Sequence, residues 1–318
     1  MKKLLSLLLS ATLLAALLAG CGGAPAGTEE TTAEDTQSQP GTGEAAQDNP
    51  RNQDGIGEKE LLVVSFGTSY NDNRRQTIGA IEDALEVAFP DYSVRRAFTS
   101  QIILDKVKDR DGVAMDNVQQ ALDRAVDNGV KTLILQPTHL MNGLEYEELV
   151  DTAAQYADAF EHLAIGQPLL TDRADFEGVA AAITQATAQY DDGKTAICFM
   201  GHGTTAASNA VYTTLQDLLA GKGQDNYYIG TVEAEPSLDT VLAAVQKGSY
   251  ERVVLLPLMI VAGDHASNDM AGDEDDSWKS VFTAAGYEVE CQLTGLGELE
   301  AIQQLFIAHA QQAMDSVQ

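Results

Sequence analysis

Leu61-Leu62-Val63-Val64-Ser65-Phe66-Gly67 is a short apolar run closed by a glycine. It lacks the polar alternation of a half-exposed strand. It therefore suits a strand buried on both faces, as parallel sheets require. Just downstream, Ile78, Ile81, Leu85 and Ala88 recur at helical spacing. Further apolar runs at 131–140, 163–170, 195–200, 227–232, 252–262 and 287–293 alternate with helix-patterned stretches near 114–128, 145–161, 173–189, 206–220, 236–247 and 297–314. Alternation of this kind predicts an α/β protein, a parallel sheet covered by helices on both faces.

The pattern also echoes itself. Lys131-Thr132-Leu133-Ile134-Leu135-Gln136-Pro137 reads like Glu251-Arg252-Val253-Val254-Leu255-Leu256-Pro257, at an offset of 120. At the same offset Gly143 matches Gly263 and Glu145 matches His265. Phe66-Gly67-Thr68 matches His202-Gly203-Thr204 at an offset of 136. We read two similar doubly wound parallel-sheet domains, 61–190 and 191–318. Ligands of open α/β sheets sit outside the carboxyl ends of the strands. Both echoes place their marked residues there, so the two domains should face one central cleft.

Upstream, Lys2 and Lys3 precede an apolar stretch from Leu4 to Leu18, then Leu18-Ala19-Gly20-Cys21. A basic start, a short apolar core and small residues form a secretory signal, 1–20, too short for a comfortable membrane span. Its ending resembles a bacterial lipobox, which implies lipidation of the Cys21 thiol. Residues 21–60 lack aromatic side chains, hold Ile56 as their only large aliphatic, and carry nine acidic side chains against two basic ones. We expect a disordered acidic tether there, because nothing in it repays the entropy of ordering. The protein is thus expected to be exported and lipid-anchored at the outer face of the cytoplasmic membrane, or periplasmic. With 48 acidic side chains against 19 basic ones, net charge −29, the chain lacks the cationic surface that nucleic-acid binding needs. Three cysteines exclude a disulfide-rich scaffold and a Cys-only zinc cluster. Cys198 and Cys291, inside predicted strands, read as small buried apolar residues.

Of five histidines, His162 and His309 read as surface or packing residues. His202, in Gly201-His202-Gly203, directly follows a predicted strand, and its glycines permit a sharp turn that displays the imidazole. His265, in Gly263-Asp264-His265, follows another, with Asp264 and Asp269 available to orient its ring. Glu233 ends the strand predicted between them. Two imidazoles and a carboxylate suit Zn²⁺, Fe²⁺ or Co²⁺ with open positions. The ligands lie 31 and 32 residues apart, so only the fold can unite them. His139 stands before Gly143 and reads equally as a structural histidine or a cleft wall. Glu145, the echo of His265, is the candidate for the opposite side of the cleft. The acidic run Asp273-Glu274-Asp275-Asp276 reads as a solvated loop, close enough to His265 to guide cations. The chain has no phosphate loop and no Gly-x-Ser-x-Gly elbow.

Taken together, Val63-Val64-Ser65-Phe66-Gly67-Thr68-Ser69-Tyr70, Arg96-Ala97-Phe98-Thr99-Ser100, Gly201-His202-Gly203 and Pro257 through Ala271 closely resemble the anaerobic sirohydrochlorin cobaltochelatases of the CbiK type. Ser277-Trp278-Lys279 and Gly295-Leu296-Gly297-Glu298 extend the match over nearly all of 61–318. The resemblance implies a class II tetrapyrrole chelatase, with two doubly wound domains around a cleft. It implies that His202, Glu233 and His265 bind the metal and that His202 also accepts protons, a task fitted to an imidazole with an ordinary pKa of about 6.5. Ser65, Thr68 and Glu145 are expected beside the substrate. An anionic chain that binds an octa-acid needs local cations. Arg74, Arg75, Arg95, Arg96, Lys106 and Lys108 form the basic cluster of the first half, with Arg96 the expected carboxylate ligand. One departure stands out: Thr204-Thr205-Ala206-Ala207-Ser208-Asn209 lacks the further histidine of the family pattern, which implies slower or less selective metal delivery.

The expected activity is ATP-independent insertion of Co²⁺ into sirohydrochlorin, a lyase reaction of cobalamin biosynthesis. Fe²⁺ or Zn²⁺ could stand in place of Co²⁺, and the sequence leaves open a homo-oligomer and a bound haem. The rival reading is an extracytoplasmic lipoprotein that binds a metal, haem or a tetrapyrrole; an iron chelatase acting on the same ring is a substrate variant.

Overall fold

The computed structural model describes residues 42–317. The expected signal peptide and Cys21 lie outside them. Eight strands run β1 Lys59–Ser65, β2 Ser93–Phe98, β3 Thr132–Pro137, β4 His162–Ile165, β5 Thr195–Gly201, β6 Tyr227–Thr231, β7 Arg252–Pro257 and β8 Glu288–Cys291. The helices are α1 Asn71–Arg74, α2 Ala80–Ala88, α3 Gln101–Asp111, α4 Val118–Asp127, α5 Leu144–Ala154, α6 Arg173–Ala186, α7 Ala210–Gly221, α8 Leu238–Val245, α9 Trp278–Ala284 and α10 Glu300–Asp315.

The strands form two four-stranded, all-parallel sheets, ordered β2-β1-β3-β4 and β6-β5-β7-β8. The second order is the first with four added to each strand, so the sequence echo is a repeat of topology. Residues Leu61–Ser65 are buried throughout, as expected for a central strand with helices on both faces. One outer face of apolar side chains packs beneath α4 and α5, through Leu122, Ala125 and Leu149. The other packs beneath α8 and α9, through Val241, Val245, Trp278 and Phe282.

Between the sheets the domain limits expected from sequence need two corrections. A single buried apolar cluster runs from Leu61, Ile81 and Leu85 through Val179 and Ile183 to Ile197, Leu215 and Phe306. The last helix, α10, lies against α2, α6, β3 and β4, so it packs on the first sheet although its sequence belongs to the second half. It is fastened there by His309, whose ring nitrogens meet the Gln167 carbonyl at 3.1 Å and the Asp175 carboxylate at 2.8 Å. A boundary at 190 therefore separates the sheets but cuts a shared core.

The second correction concerns the tether. Residues from Thr42 onward lie on the body as a strap. Asp48 is buried between Arg74 (2.6 Å) and Arg96 (2.8 Å). Arg51 is buried against Glu82 at 3.2 Å, and its carbonyl accepts from the Arg96 backbone N–H. Burial alone would raise the Asp48 carboxyl, but Arg96 and Arg74 hold it below the usual carboxylate range. The strap has almost no apolar content, and its order comes from charge: Asp48 is the one carboxylate partner of buried Arg74 among the described residues and a second one for Arg96, while Arg51 meets Glu82.

Candidate metal centre

β5 and β6 continue their pairing beyond the strands. The Val232 N–H donates to the Gly201 carbonyl at 3.0 Å and the Glu233 N–H donates to the His202 carbonyl at 2.9 Å. This ladder sets His202 and Glu233 side by side at the carboxyl ends. Gly203 takes φ +87°, where a Cβ would lie 2.8 Å from Thr231 and strain the backbone. At Gly201 a Cβ would strike the ring of Tyr212 at 2.2 Å. Tyr212, buried in α7, accepts from the Gly203 N–H at 3.2 Å and so props the turn from below. Asn209 accepts from the Thr204 N–H at 3.0 Å and donates to the Glu235 carbonyl at 2.6 Å, tying the His202 loop to the Glu233 loop. Sequence alone gave no signal for Tyr212 or Asn209, since both act through the fold; Asn209 lies in the stretch noted only for its missing histidine.

His265 arrives from the opposite side of β5. The loop after β7 is pinned where the Ala262 N–H donates to Asn73 Oδ1 at 2.9 Å, and where Gly263 lies on Thr68. His265 then opens a turn that continues as a π-helical segment, Ala266–Met270. Wider turns of this kind are frequent at functional sites. The wider turn still brings Asp269 beneath the ring: His265 Nδ1 donates to Asp269 Oδ2 at 2.7 Å. His202 Nδ1 donates to the Gly203 carbonyl at 2.9 Å. Each histidine thus has its Nδ1 engaged by an acceptor, so in the neutral ring Nε2 is the nitrogen that can bind a ligand.

The three groups converge. One ligand atom each from His202, Glu233 and His265 lie within 4.8 Å of one another. The imidazole rings meet edge to face with centroids 4.7 Å apart, and His202 Nε2 stands 3.9 Å from Glu233 Oε1. Bonds of about 2.1 Å to a tetrahedral ion imply ligand separations of roughly 3.5 Å, so small side-chain rotations would close the set. About half of the His202 and Glu233 side chains is open to solvent. Structural metal sites are closed, whereas this one leaves positions for another ligand to enter.

Other expected site residues fall differently. Glu145 is exposed in the first turn of α5, beyond Gly143. Ser65 is buried, its Oγ 2.7 Å from Thr138 Oγ1, and Thr68 is buried against Gly263, so neither presents an open hydroxyl. Arg96 must be withdrawn as a substrate ligand. It is buried in β2, bidentate to Glu82 at 2.7 Å, with Asp48 on its remaining donors at 2.8 and 3.2 Å. Arg95 is likewise buried between Glu60 and Asp116, and Arg74 is held by Asp48 and Asn71. Burial, with protein oxygens on most of their donors, keeps both guanidiniums from a ligand in the cleft, and the one unpaired donor, Arg95 Nε, is shut from solvent. Of that basic cluster, Lys106 and Lys108 are exposed with no ion-pair partner among the described residues. His139 has both ring nitrogens shut from solvent without a protein hydrogen-bond partner, and burial pushes its pKa down to about 4. Cys198 is buried in β5 as expected, and burial raises its thiol. The acidic run 273–276 is exposed.

Residues 59–315 match the cobalt chelatase (CbiK) family. A sirohydrochlorin cobaltochelatase of Salmonella typhimurium is 38% identical over 257 residues, which is 81% of this chain and 97% of that relative. Sirohydrochlorin cobaltochelatase CbiKC of Nitratidesulfovibrio vulgaris is 31% identical over 261 residues, 81% of this chain and 92% of that relative. Among solved structures, SirB from Bacillus subtilis with Fe³⁺ aligns at a TM-score of 0.55 and 14% identity, covering 82% of this chain and 97% of that one. The sirohydrochlorin chelatase SirB from Bacillus subtilis subspecies spizizenii in complex with cobalt aligns at 0.52 and 12% identity, with 82% and 97% covered. At such identities these structures speak for the fold alone, two sheets of the chelatase type.

Proposed function

The chain belongs to the cobalt chelatase (CbiK) family, and from that premise we propose that it inserts Co²⁺ into sirohydrochlorin, with His202, Glu233 and His265 receiving the ion. The observation that carries the site is the convergence of three ligand atoms, from three separate βα units, on one solvent-open point. Insertion breaks two pyrrole N–H bonds, forms the metal–nitrogen bonds and releases two protons. His265 Nε2 and Glu233 hold the incoming ion, with Asp269 fixing the His265 ring. His202 Nε2 acts as ligand and base at different moments: it binds the arriving ion, and once the ion has passed to the ring its freed lone pair takes one ring proton, while the second proton leaves to water through the open side. The open side of the cluster admits the macrocycle above the ion, so the gain is chiefly one of position. No nucleotide loop is present in the sequence, and none of these steps needs ATP.

We also propose that the protein works outside the cytoplasm, tethered through Cys21, on the strength of Leu18-Ala19-Gly20-Cys21. That export signal is also what favours the second reading, a lipoprotein that holds a metal, haem or tetrapyrrole without turnover. Purified protein mixed with sirohydrochlorin and Co²⁺, followed by absorbance, separates the two. The chelatase reading predicts insertion well above the spontaneous rate, and loss of roughly 100-fold or more in His202→Ala and in His265→Ala without unfolding. Tight binding with no acceleration would select the second reading, and wild-type rates in both variants would remove the site assignment.

A further inference from the structure

The internal repeat crosses over at the interface between the two sheets. Thr68, the echo of Thr204, lies against Gly263, where a Cβ would stand 3.0 Å from its Oγ1. Gly143, the echo of Gly263, faces Ser208 of the His202 loop, where a Cβ would stand 3.8 Å from its Oγ. The loop after β1 therefore meets the loop after β7, and the loop after β3 meets the loop after β5. By the same offsets His265 has Glu145 as its counterpart, and His202 has Phe66.

Phe66 follows a strand whose last six residues are buried, yet it is itself 50% exposed. It is one of six large apolar side chains exposed among the described residues. Its backbone is held firmly. The Ser100 N–H donates to the Phe66 carbonyl at 3.3 Å, the Thr99 N–H donates to the Ser65 carbonyl at 2.9 Å, and Gly67 packs on the Phe98 ring. Two residues later Thr68 touches Gly263, itself two residues from His265. An exposed aromatic side chain on a firmly held backbone thus follows β1 at the carboxyl end of the first sheet, on the loop whose Thr68 meets the loop that carries His265. Its chemistry matches a flat π-system, which is apolar across its face and polar only at its rim.

We propose that Phe66 is the seat of the tetrapyrrole, a substrate-contacting residue on which one face of the macrocycle rests while the other is turned to His202, Glu233 and His265. The proposal rests on the chelatase reading for the identity of the ring. The repeat would then have diverged by task, one copy holding the metal and the other holding the plane. Because the seat contacts ring and not ion, it governs ring affinity and leaves metal affinity alone.

The test uses the full folded body with Phe66→Ala and Phe66→Trp. Three quantities are measured: the dissociation constant for metal-free sirohydrochlorin, by absorbance titration without metal; steady-state insertion kinetics; and Co²⁺ binding, by its visible absorption. The expected result for Phe66→Ala is a ring dissociation constant and KM raised about tenfold, kcat changed by less than about twofold, and Co²⁺ binding unaltered, with Phe66→Trp near wild type. Wild-type ring affinity and KM in Phe66→Ala would overturn the seat. So would weakened Co²⁺ binding without rescue by Phe66→Trp, which would mark a structural role. If the wild type binds the ring but does not speed insertion, the chelatase reading fails, and the ring titration of Phe66→Ala still decides the seat. If the wild type does not bind the ring, the seat fails with it.

Discussion

Among the histidines, the sequence separated those that follow strands from those that do not, and that distinction located His202 and His265. It could not resolve His139, because a strand end serves equally for display and for burial. The structure encloses both nitrogens of His139, and burial holds its pKa near 4 against an ordinary 6.5. Below 6.5 the unfolded chain takes up a proton that the folded one refuses. The stability associated with the neutral ring is therefore complete above 6.5 and is lost as pH falls toward 4, by about 3 kcal/mol in all. Urea unfolding at pH 7 and pH 4 should show the wild type losing that much more than His139→Gln. Parallel losses in the two proteins would mean that the imidazole is hydrated or paired in solution.

At the level of elements, most strands were legible because they are apolar runs closed by small or turn-forming residues. β2 was not, since Ser93-Val94-Arg95-Arg96-Ala97-Phe98 carries two arginines in its centre. Those arginines read as surface cations for an anionic substrate, when they are buried and matched by Glu60, Asp116, Glu82 and Asp48. One misreading caused the other: counter-charges so far away in sequence cannot be seen along the chain. The strap around Asp48 was missed for the same reason, and it precedes the family-matched stretch that begins at 59. Removing one member of a buried charge network exposes the others to an unpaired, dry environment. Asp48→Ala should therefore lose about 3–5 kcal/mol of stability in urea unfolding while the folded protein keeps its Co²⁺ affinity. Unchanged stability would show that the strap is incidental to the fold.

Over the whole molecule, the repeat announced by Gln136-Pro137 and Leu256-Pro257 became two sheets with one strand order, and the three candidate ligands meet at the carboxyl ends of β5, β6 and β7 in the second sheet. The sharing of the core was hidden, because an amphipathic helix such as α10 shows which face is apolar but not which sheet it will cover. The repeat is asymmetric in its chemistry: the candidate ligands 202, 233 and 265 lie in the second half, while positions 66 and 145 of the first half, counterparts of 202 and 265, hold Phe and Glu. Everything in the functional account depends on those three ligands accepting one ion together. Anomalous diffraction at the cobalt edge from crystals soaked in Co²⁺ tests this directly. A single strong site bonded to His202 Nε2, His265 Nε2 and the Glu233 carboxylate at about 2.0–2.2 Å is expected, absent in His265→Ala. Cobalt held instead by the acidic run 273–276, with no density between the two imidazoles, would contradict it.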